Sequence, residues 1–340
     1  MAQEPLLKLT QVDKHFDISG ALLDQLEWKK GRPARKRTIV RAVNQVSFEI
    51  TEGETLSVVG ESGCGKSTLA RTIIGLYPPD RGQIFYRGER IDHLSHKDML
   101  PYRVKMQMVF QDPYASLNPR MKIRETLEEP YRFHFQHGRD SNSAVKDRVA
   151  EVMRNVGVDP EWAERFPHEF SGGQRQRISL ARALMVDPEF IVADEPISAL
   201  DVSIQAQILN LLMDAQEQRG LTYLFISHDL SVVRHISTRV AVMYLGVMCE
   251  LAPTENLFTM PRHPYTKALL SAIPRLGVGR VKHMKITGDV PTPINLPPGC
   301  VFHVRCPFVE SRCRSEIPLL RPLETGHYAA CHGVEEGRID

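Results

Sequence analysis

The sequence predicts an α/β fold with a mostly parallel sheet. Three observations lead there: apolar strand-like runs alternate with helical segments, a phosphate-binding loop sits at a strand-to-helix junction, and a long polar helical stretch interrupts the alternation. An apolar strand closes at Val58 to Gly60, Ser67 to Gly75 reads as a helix, and Met106 to Phe110 reads as a strand. Residues Pro119 to Pro167 are polar and helical in pattern, which predicts an inserted helical subdomain. The series resumes with a buried-type strand at Phe190 to Ala193, a helix near Ser203 to Gln216 and a strand at Tyr223 to Ser227. From about Pro261 the composition shifts to Pro, Arg and Cys, and a domain boundary is expected there. Neither an internal repeat nor a low-complexity segment is visible.

At 340 residues the chain has room for about two domains with sizeable cores. Apolar residues make up 42% and charged residues 25%, and a net charge of +2 predicts no general attraction to nucleic acid. No apolar run approaches the roughly 18 residues needed to cross a bilayer. The opening MAQEPLLKL lacks the cationic and apolar regions of a secretory signal. A cytoplasmic location is expected, where six cysteines suit reduced thiols or metal ligands better than disulfides.

The most specific signal is GESGCGKST: Gly60, Glu61, Ser62, Gly63, Cys64, Gly65, Lys66, Ser67 and Thr68. It matches G-x-x-x-x-G-K-[ST] directly after a strand and before a helix, the context the pattern requires. Glycines let backbone N–H groups close around phosphates, Lys66 offers a point charge, and Ser67 offers a hydroxyl to Mg²⁺. Downstream, FIVADEP ends a buried strand in Asp194 and Glu195. Asp194 is a candidate for the Mg²⁺ shell and Glu195 for polarising an attacking water; a solvated turn or a helix cap would use the same residues. A second glycine pair stands in EFSGGQRQRISLARAL, where Ser171, Gly172, Gly173 and Gln174 precede a helix. Such a start can bind an anion or simply be capped by its serine, since both use the same N–H groups.

These motifs, in this order and spacing, resemble the ATP-binding cassette (ABC) ATPases from about Leu6 to Leu251. The resemblance implies a P-loop ATPase with a RecA-like core, an antiparallel β subdomain and a helical subdomain at about 112–185. It implies that Gln111 senses Mg²⁺ in the glutamine loop, that Ser198, Ala199, Leu200 and Asp201 form a dimer-contact loop, and that His228 contacts the γ-phosphate. Phe16 is the best match for the aromatic residue that stacks on adenine, although a core role suits a flat ring equally. The family also accounts for two phosphate motifs in one chain. Its members dimerise head to tail, so Ser171 to Gln174 would serve the partner's ATP. Between Phe16 and Ala42 lies an insertion with WKKGRPARKRTIVR, in which seven of fourteen residues are basic. It reads as a solvated loop or as a contact for anionic lipid headgroups or nucleic acid.

QDPYASLNPR, PRHPYTKALLSAIPRL and the Pro-Pro-Gly-Cys stretch near Cys300 narrow the resemblance to ATPase subunits of dipeptide and oligopeptide importers. An ATPase domain at 1–260 and an extension at 261–340 are then expected. The implied partners are a second ABC ATPase subunit, two transmembrane permease subunits and an extracytoplasmic peptide-binding protein, with the chain peripheral on the cytoplasmic face of the membrane. Import of nickel, glutathione or another solute, and a soluble ATPase acting on nucleic acid or ribosomes, are the alternatives. Sequence physics gives no reason for His263-Pro264-Tyr265 beyond a helix start at Pro264. Finally, Cys300, Cys306, Cys313 and Cys331 fall in a tail with few large apolar residues, which needs another source of order. The resemblance implies a 4Fe-4S cluster there; zinc or plain thiols are the alternatives.

Overall fold

A computed structural model describes residues 4–19, 26–29, 32–35, 37–135, 142–198, 200–272, 288, 291–324 and 326–339. In chain order the elements are β1 (Leu7–Asp17), β2 (Leu26–Lys29), β3 (Arg32–Arg35), β4 (Ile39–Ile50), β5 (Thr55–Val59), α1 (Lys66–Ile73), β6 (Arg81–Tyr86) and β7 (Glu89–Arg90). Then follow α2 (Leu100–Lys105), β8 (Met106–Val109), α3 (Pro113–Ser116), α4 (Ile123–Phe135), α5 (Asn142–Asn155), α6 (Gly172–Leu184), β9 (Phe190–Asp194), α7 (Val202–Arg219) and β10 (Thr222–Ile226). The series closes with α8 (Leu230–Ile236), β11 (Arg239–Tyr244), β12 (Val247–Pro253), α9 (Thr254–Thr259), α10 (Pro264–Ser271), α11 (Ser311–Ser315), β13 (Arg321–Glu324), β14 (His327–Ala329) and α12 (His332–Glu335). The chain divides into two compact units, and the division falls within β5: one unit is Met1–Ile50, Val58–Asp92 and His228–Asp340, the other Thr51–Ser57 and His93–Ser227.

In the first unit, β4-β1-β6-β7 form an antiparallel sheet, with Leu7 opposite Ile50 on one side and Tyr86 on the other. Leu7 and Leu9 are buried while Lys8 between them is exposed, the alternation of a strand with one dry face. The basic insertion, read as a loop, carries an antiparallel ribbon of β2 and β3 pairing Leu26 with Arg35; its side chains lie outside the described residues. A second antiparallel ladder runs β13-β14-β12-β11. Its β11–β12 hairpin turns at Leu245 and Gly246, both at positive φ (44° and 84°). That geometry matches the right-handed strand twist, and a leucine tolerates it poorly.

The second unit holds the parallel ladder β8-β9-β10, with Val192 opposite Met108 and Leu224. Every residue of β9 and β10 is buried, as strands covered on both faces must be. The helical insertion expected at Pro119 to Pro167 is present as α4 and α5, and α5 turns Val145, Val149, Val152 and Met153 inward at helical spacing.

The tail is ordered by apolar packing. Phe302 inserts among Tyr244, Tyr265 and His263, with ring centroids 5.3, 5.4 and 5.7 Å away. Cys300 and Cys306 pack against the same cluster. This overturns the iron–sulfur expectation and the zinc alternative: among the described residues no group of three or more His, Cys, Asp or Glu is placed to hold a metal ion. Cys300, Cys306, Cys313 and Cys331 are free cysteines. Burial pushes the Cys300 thiol up to about 12 and Cys306 to about 11, and raises Cys331 as well. Cys300, Cys306 and Cys331 are thereby held as neutral thiols that pack as small, mostly apolar groups. The sequence expectation failed because the core that orders the tail is supplied largely by distant residues.

A buried carboxylate ties the His-Pro-Tyr segment to the sheet. Glu250 on β12, with no exposed surface, accepts from the backbone N–H groups of Arg262 and His263 and from His327 Nε2, each at 2.8 Å. Burial alone would raise its pKa, but the His327 bond and the backbone donors outweigh that and lower it. The ionised carboxylate can only accept, so His327 carries its proton on Nε2. His263 in turn caps α10, its Nδ1 accepting from the Tyr265 N–H at 3.1 Å. That bond requires Nδ1 unprotonated, and burial pushes His263 down to about 4 against the pull of Glu250. An unfolded chain takes up this proton near the ordinary pKa of 6.5, before the folded one does. Stability is therefore full above pH about 6.5 and declines toward pH about 4, by at most about 1.4 kcal/mol per pH unit from this group. His263→Asn keeps a capping side chain. It is expected to flatten that slope in urea titrations at pH 7 and pH 5; an unchanged slope would place the titration elsewhere.

Candidate nucleotide site

In the first unit the loop of Gly60 to Thr68 leaves the wholly buried β5 and enters α1. Two glycines permit the path. Gly60 has φ 154° and Gly65 φ 107°, and a Cβ on either would fall about 2 Å from a backbone oxygen, at 2.1 Å from Met243 O and 1.9 Å from Ala42 O respectively. Lys66 is buried and folds back over the loop, its Nζ donating to Gly60 O at 2.9 Å and Glu61 O at 3.1 Å. Ser62 and Gly63 are exposed at the tip, and Ser67 and Thr68 are half-buried on the first turn of α1. Burial raises the Cys64 thiol against the pull of Lys66, which keeps it a neutral filler under the loop. Phe16 is half-buried, with the ring of Tyr77 edge-on at 5.4 Å. His228 is exposed just before α8, where capping falls to Asp229, which accepts from Ser231 N–H at 2.8 Å.

In the second unit β9 ends in the fully buried Asp194. Glu195 follows with φ 46°, a left-handed conformation unusual for a glutamate preceding a proline. Its N–H donates to Ile226 O at 3.0 Å, fixing that backbone against the next strand. Gln111 Nε2 donates to Glu195 Oε2 at 3.0 Å, so the glutamine and the candidate base are already in contact. Strain held at one residue by its surroundings is common where a side chain must be aimed.

Ser171 and Gln174 form a reciprocal capping box at the start of α6: Gln174 N–H donates to Ser171 Oγ at 3.3 Å and Ser171 N–H to Gln174 Oε1 at 2.9 Å. Gly173 is closed in by Ile204, whose Cγ2 would meet an added Cβ at 2.5 Å. The glutamine loop is joined to this helix twice. Arg182 of α6 donates to Ser116 O, and the Arg175 guanidinium lies 3.8 Å from the centre of the Tyr114 ring. Ser198 Oγ donates to Glu195 O at 3.2 Å; Ala199 lies outside the described residues.

Phe16, the loop of Gly60 to Thr68 and His228 thus belong to the first unit, and Gln111, Ser171 to Gln174, Asp194 and Glu195 to the second. The sequence reading missed Tyr265 and Arg305 as neighbours of the loop. Tyr265 stood in a noted motif without a mechanism, while Arg305 is 244 residues from its partner and carried no local signal.

An α/β core whose glycine-rich loop wraps a buried lysine between strand and helix defines a P-loop ATPase. The profile described as "ABC transporter" matches residues 43–198, and the one described as "Oligopeptide/dipeptide transporter, C-terminal region" matches residues 249–313. The chain is 50% identical to the oligopeptide transport ATP-binding protein AppF of Bacillus subtilis, over 97% of this chain and 98% of that protein. It is 48% identical to the di/tripeptide transport ATP-binding protein DppF of Pseudomonas aeruginosa, over 98% of this chain and 99% of that one. Among solved structures, the dimeric ATP-binding cassette MJ0796 in a post-hydrolysis state bound to ADP and Pi superposes with a TM-score of 0.62 at 28% identity, over 73% of this chain and 98% of that one. The protein belongs to the ABC transporter family and is an ABC-type ATPase.

Proposed function

We propose that the chain is the ATP-hydrolysing subunit of a membrane importer for dipeptides or oligopeptides, peripheral on the cytoplasmic face. The observation that carries this reading is the likeness over nearly the whole chain, C-terminal region included, to proteins named for oligopeptide and di/tripeptide transport. Among the described residues no helix is long and apolar enough to cross a membrane. The transmembrane path would therefore come from two permease subunits, fed by an extracytoplasmic peptide-binding protein, and a second ABC ATPase subunit would complete the dimer. Residues 1–260 would act as the ATPase domain, with a helical subdomain at about 112–185, and 261–340 as an extension.

In this reading the N–H groups of Gly60 to Thr68 and Lys66 bind the phosphates, and Phe16 stacks on adenine. Glu195 accepts a proton from the attacking water while Gln111 and His228 orient the reacting groups. Ser67, Asp194 and Gln111 are oxygen donors suited to Mg²⁺, which would neutralise phosphate charge when bound. Ser171 to Gln174 face the ATP of the partner subunit. Dimer closure with ATP and reopening after hydrolysis would then move the permeases between two states. Purification from membranes in mild detergent is expected to recover the chain with two multispanning subunits and a second ATPase. Recovery with ribosomes or DNA would sink the proposal.

A further inference from the structure

The second residue of the phosphate loop, Glu61, is gripped from the C-terminal part of the chain at both its backbone and its side chain. Its N–H donates to Tyr265 Oη at 2.9 Å. Its carboxylate takes a two-pronged contact from Arg305, with Nη1 to Oε2 at 2.8 Å and Nη2 to Oε1 at 3.1 Å. Arg305 Nη1 also donates to Tyr244 Oη at 3.3 Å. Neither partner is free to wander: Tyr265 has no exposed surface and Arg305 is 9% exposed. Tyr265 packs ring against ring with Tyr244 at 4.7 Å and Phe302 at 5.4 Å, and the Arg305 guanidinium lies 5.8 Å from the centre of the Tyr244 ring. Burial alone would lower the Arg305 pKa, but its bonds to Glu61 and Tyr244 raise it, as a fixed and fully charged guanidinium requires. Burial raises that of Tyr265, which keeps its hydroxyl neutral.

Glu61 is a pivotal point to hold. Its carbonyl accepts from Lys66 Nζ at 3.1 Å and from Cys64 N–H at 3.2 Å, so its position sets both the curl of the loop and the resting place of the lysine. A bidentate arginine fixes orientation as well as distance, which a single point charge does not. We propose that Tyr265 and Arg305 are positioning residues for ATP, through which the C-terminal extension holds the phosphate loop in its binding shape. This rests on the reading of Gly60 to Thr68 as the ATP site, and it gives the His-Pro-Tyr segment a task that sequence physics did not supply.

The test is a double-mutant cycle on nucleotide affinity in the full chain, with Mg-ATP as the probe in titration calorimetry. Arg305→Gln and Glu61→Gln are each expected to raise the Kd about three- to tenfold, within the range of coupling carried between sites by a shared network. The double variant should be no weaker than either single one, because each removes the same contact. Arg305→Lys should recover part of the loss, and Tyr265→Phe should weaken binding by a similar factor. A general loss of packing would not give this pattern of coupling and rescue. Losses that simply add, or an unchanged Kd in variants that melt cooperatively, would overturn the proposal. If Tyr265→Phe fails to fold, the Arg305 and Glu61 cycle decides alone. Failure of the unaltered protein to bind Mg-ATP would instead overturn the ATP-site reading itself.

Discussion

Glu195→Gln is expected to bind Mg-ATP as the unaltered chain does and to lose about 10²- to 10⁴-fold in turnover, the usual contribution of a positioned acid or base. The amide is nearly the size of the carboxylate, and its oxygen can still accept from Gln111 Nε2, which donates to Glu195 Oε2 at 3.0 Å. The backbone bond from Glu195 N–H to Ile226 O at 3.0 Å does not depend on the side chain. What disappears is the capacity to take a proton from water. Binding without turnover should trap the ATP-closed dimer, visible as a dimer peak in gel filtration with Mg-ATP. The measurement that decides is phosphate release in an assembly whose other site is already disabled. Turnover equal to that of the unaltered chain there would remove Glu195 from the role of base.

Glu250→Ala should be strongly destabilising. It strips the acceptor from three donors at once: the buried His263 N–H and His327 ring, and the partly buried N–H of Arg262. Each unsatisfied buried donor costs about 1–3 kcal/mol, and a total of about 4 kcal/mol is expected after partial relaxation. That is a large share of a net stability of about 5–15 kcal/mol. The loss should appear as a lower urea midpoint and as early proteolysis near β14, whose His327 is then unanchored. Glu250→Gln should lose less, because its amide oxygen serves some of the donors while its NH₂ faces another donor. Equal midpoints for Glu250→Ala and the unaltered protein would mean that the network contributes little.

The parts of the fold that were legible in the sequence are those whose signal is local. FIVAD reads as a buried strand because its apolar residues are contiguous, and β9 is buried throughout. The phosphate loop reads as a strand-to-helix turn because its glycines are obligatory, as the close approaches to Met243 O and Ala42 O at Gly60 and Gly65 make plain. The β11–β12 hairpin escaped notice because Leu245 sits at positive φ where an Asn or Gly would have announced the turn. β14 pairs Ala329 with Glu250 far upstream, and neither strand reveals that partner. The cysteines misled for a similar reason. Taken alone the tail has little core, and only the fold brings Tyr244 and Tyr265 to Phe302 and Cys300. Glu195 could be picked out beside a strand end, but its left-handed backbone and its contact with Gln111 are products of tertiary structure.

The clamp on Glu61 also orders events in time, since a ribosome delivers residues one after another. Tyr265 lies 204 residues and Arg305 244 residues after Glu61. At about 5–20 residues per second, the latter span takes about 12–49 s to make. Until Tyr265 is made the newborn loop has its glycines and lysine but neither anchor, and over the rest of the interval it still lacks Arg305. All of His93–Ser227, which makes up most of the second unit, is synthesised within the same interval. The motif that is complete first on the ribosome is thus braced among the last, and a nascent chain interrupted before Arg305 carries the loop without the arginine that grips it.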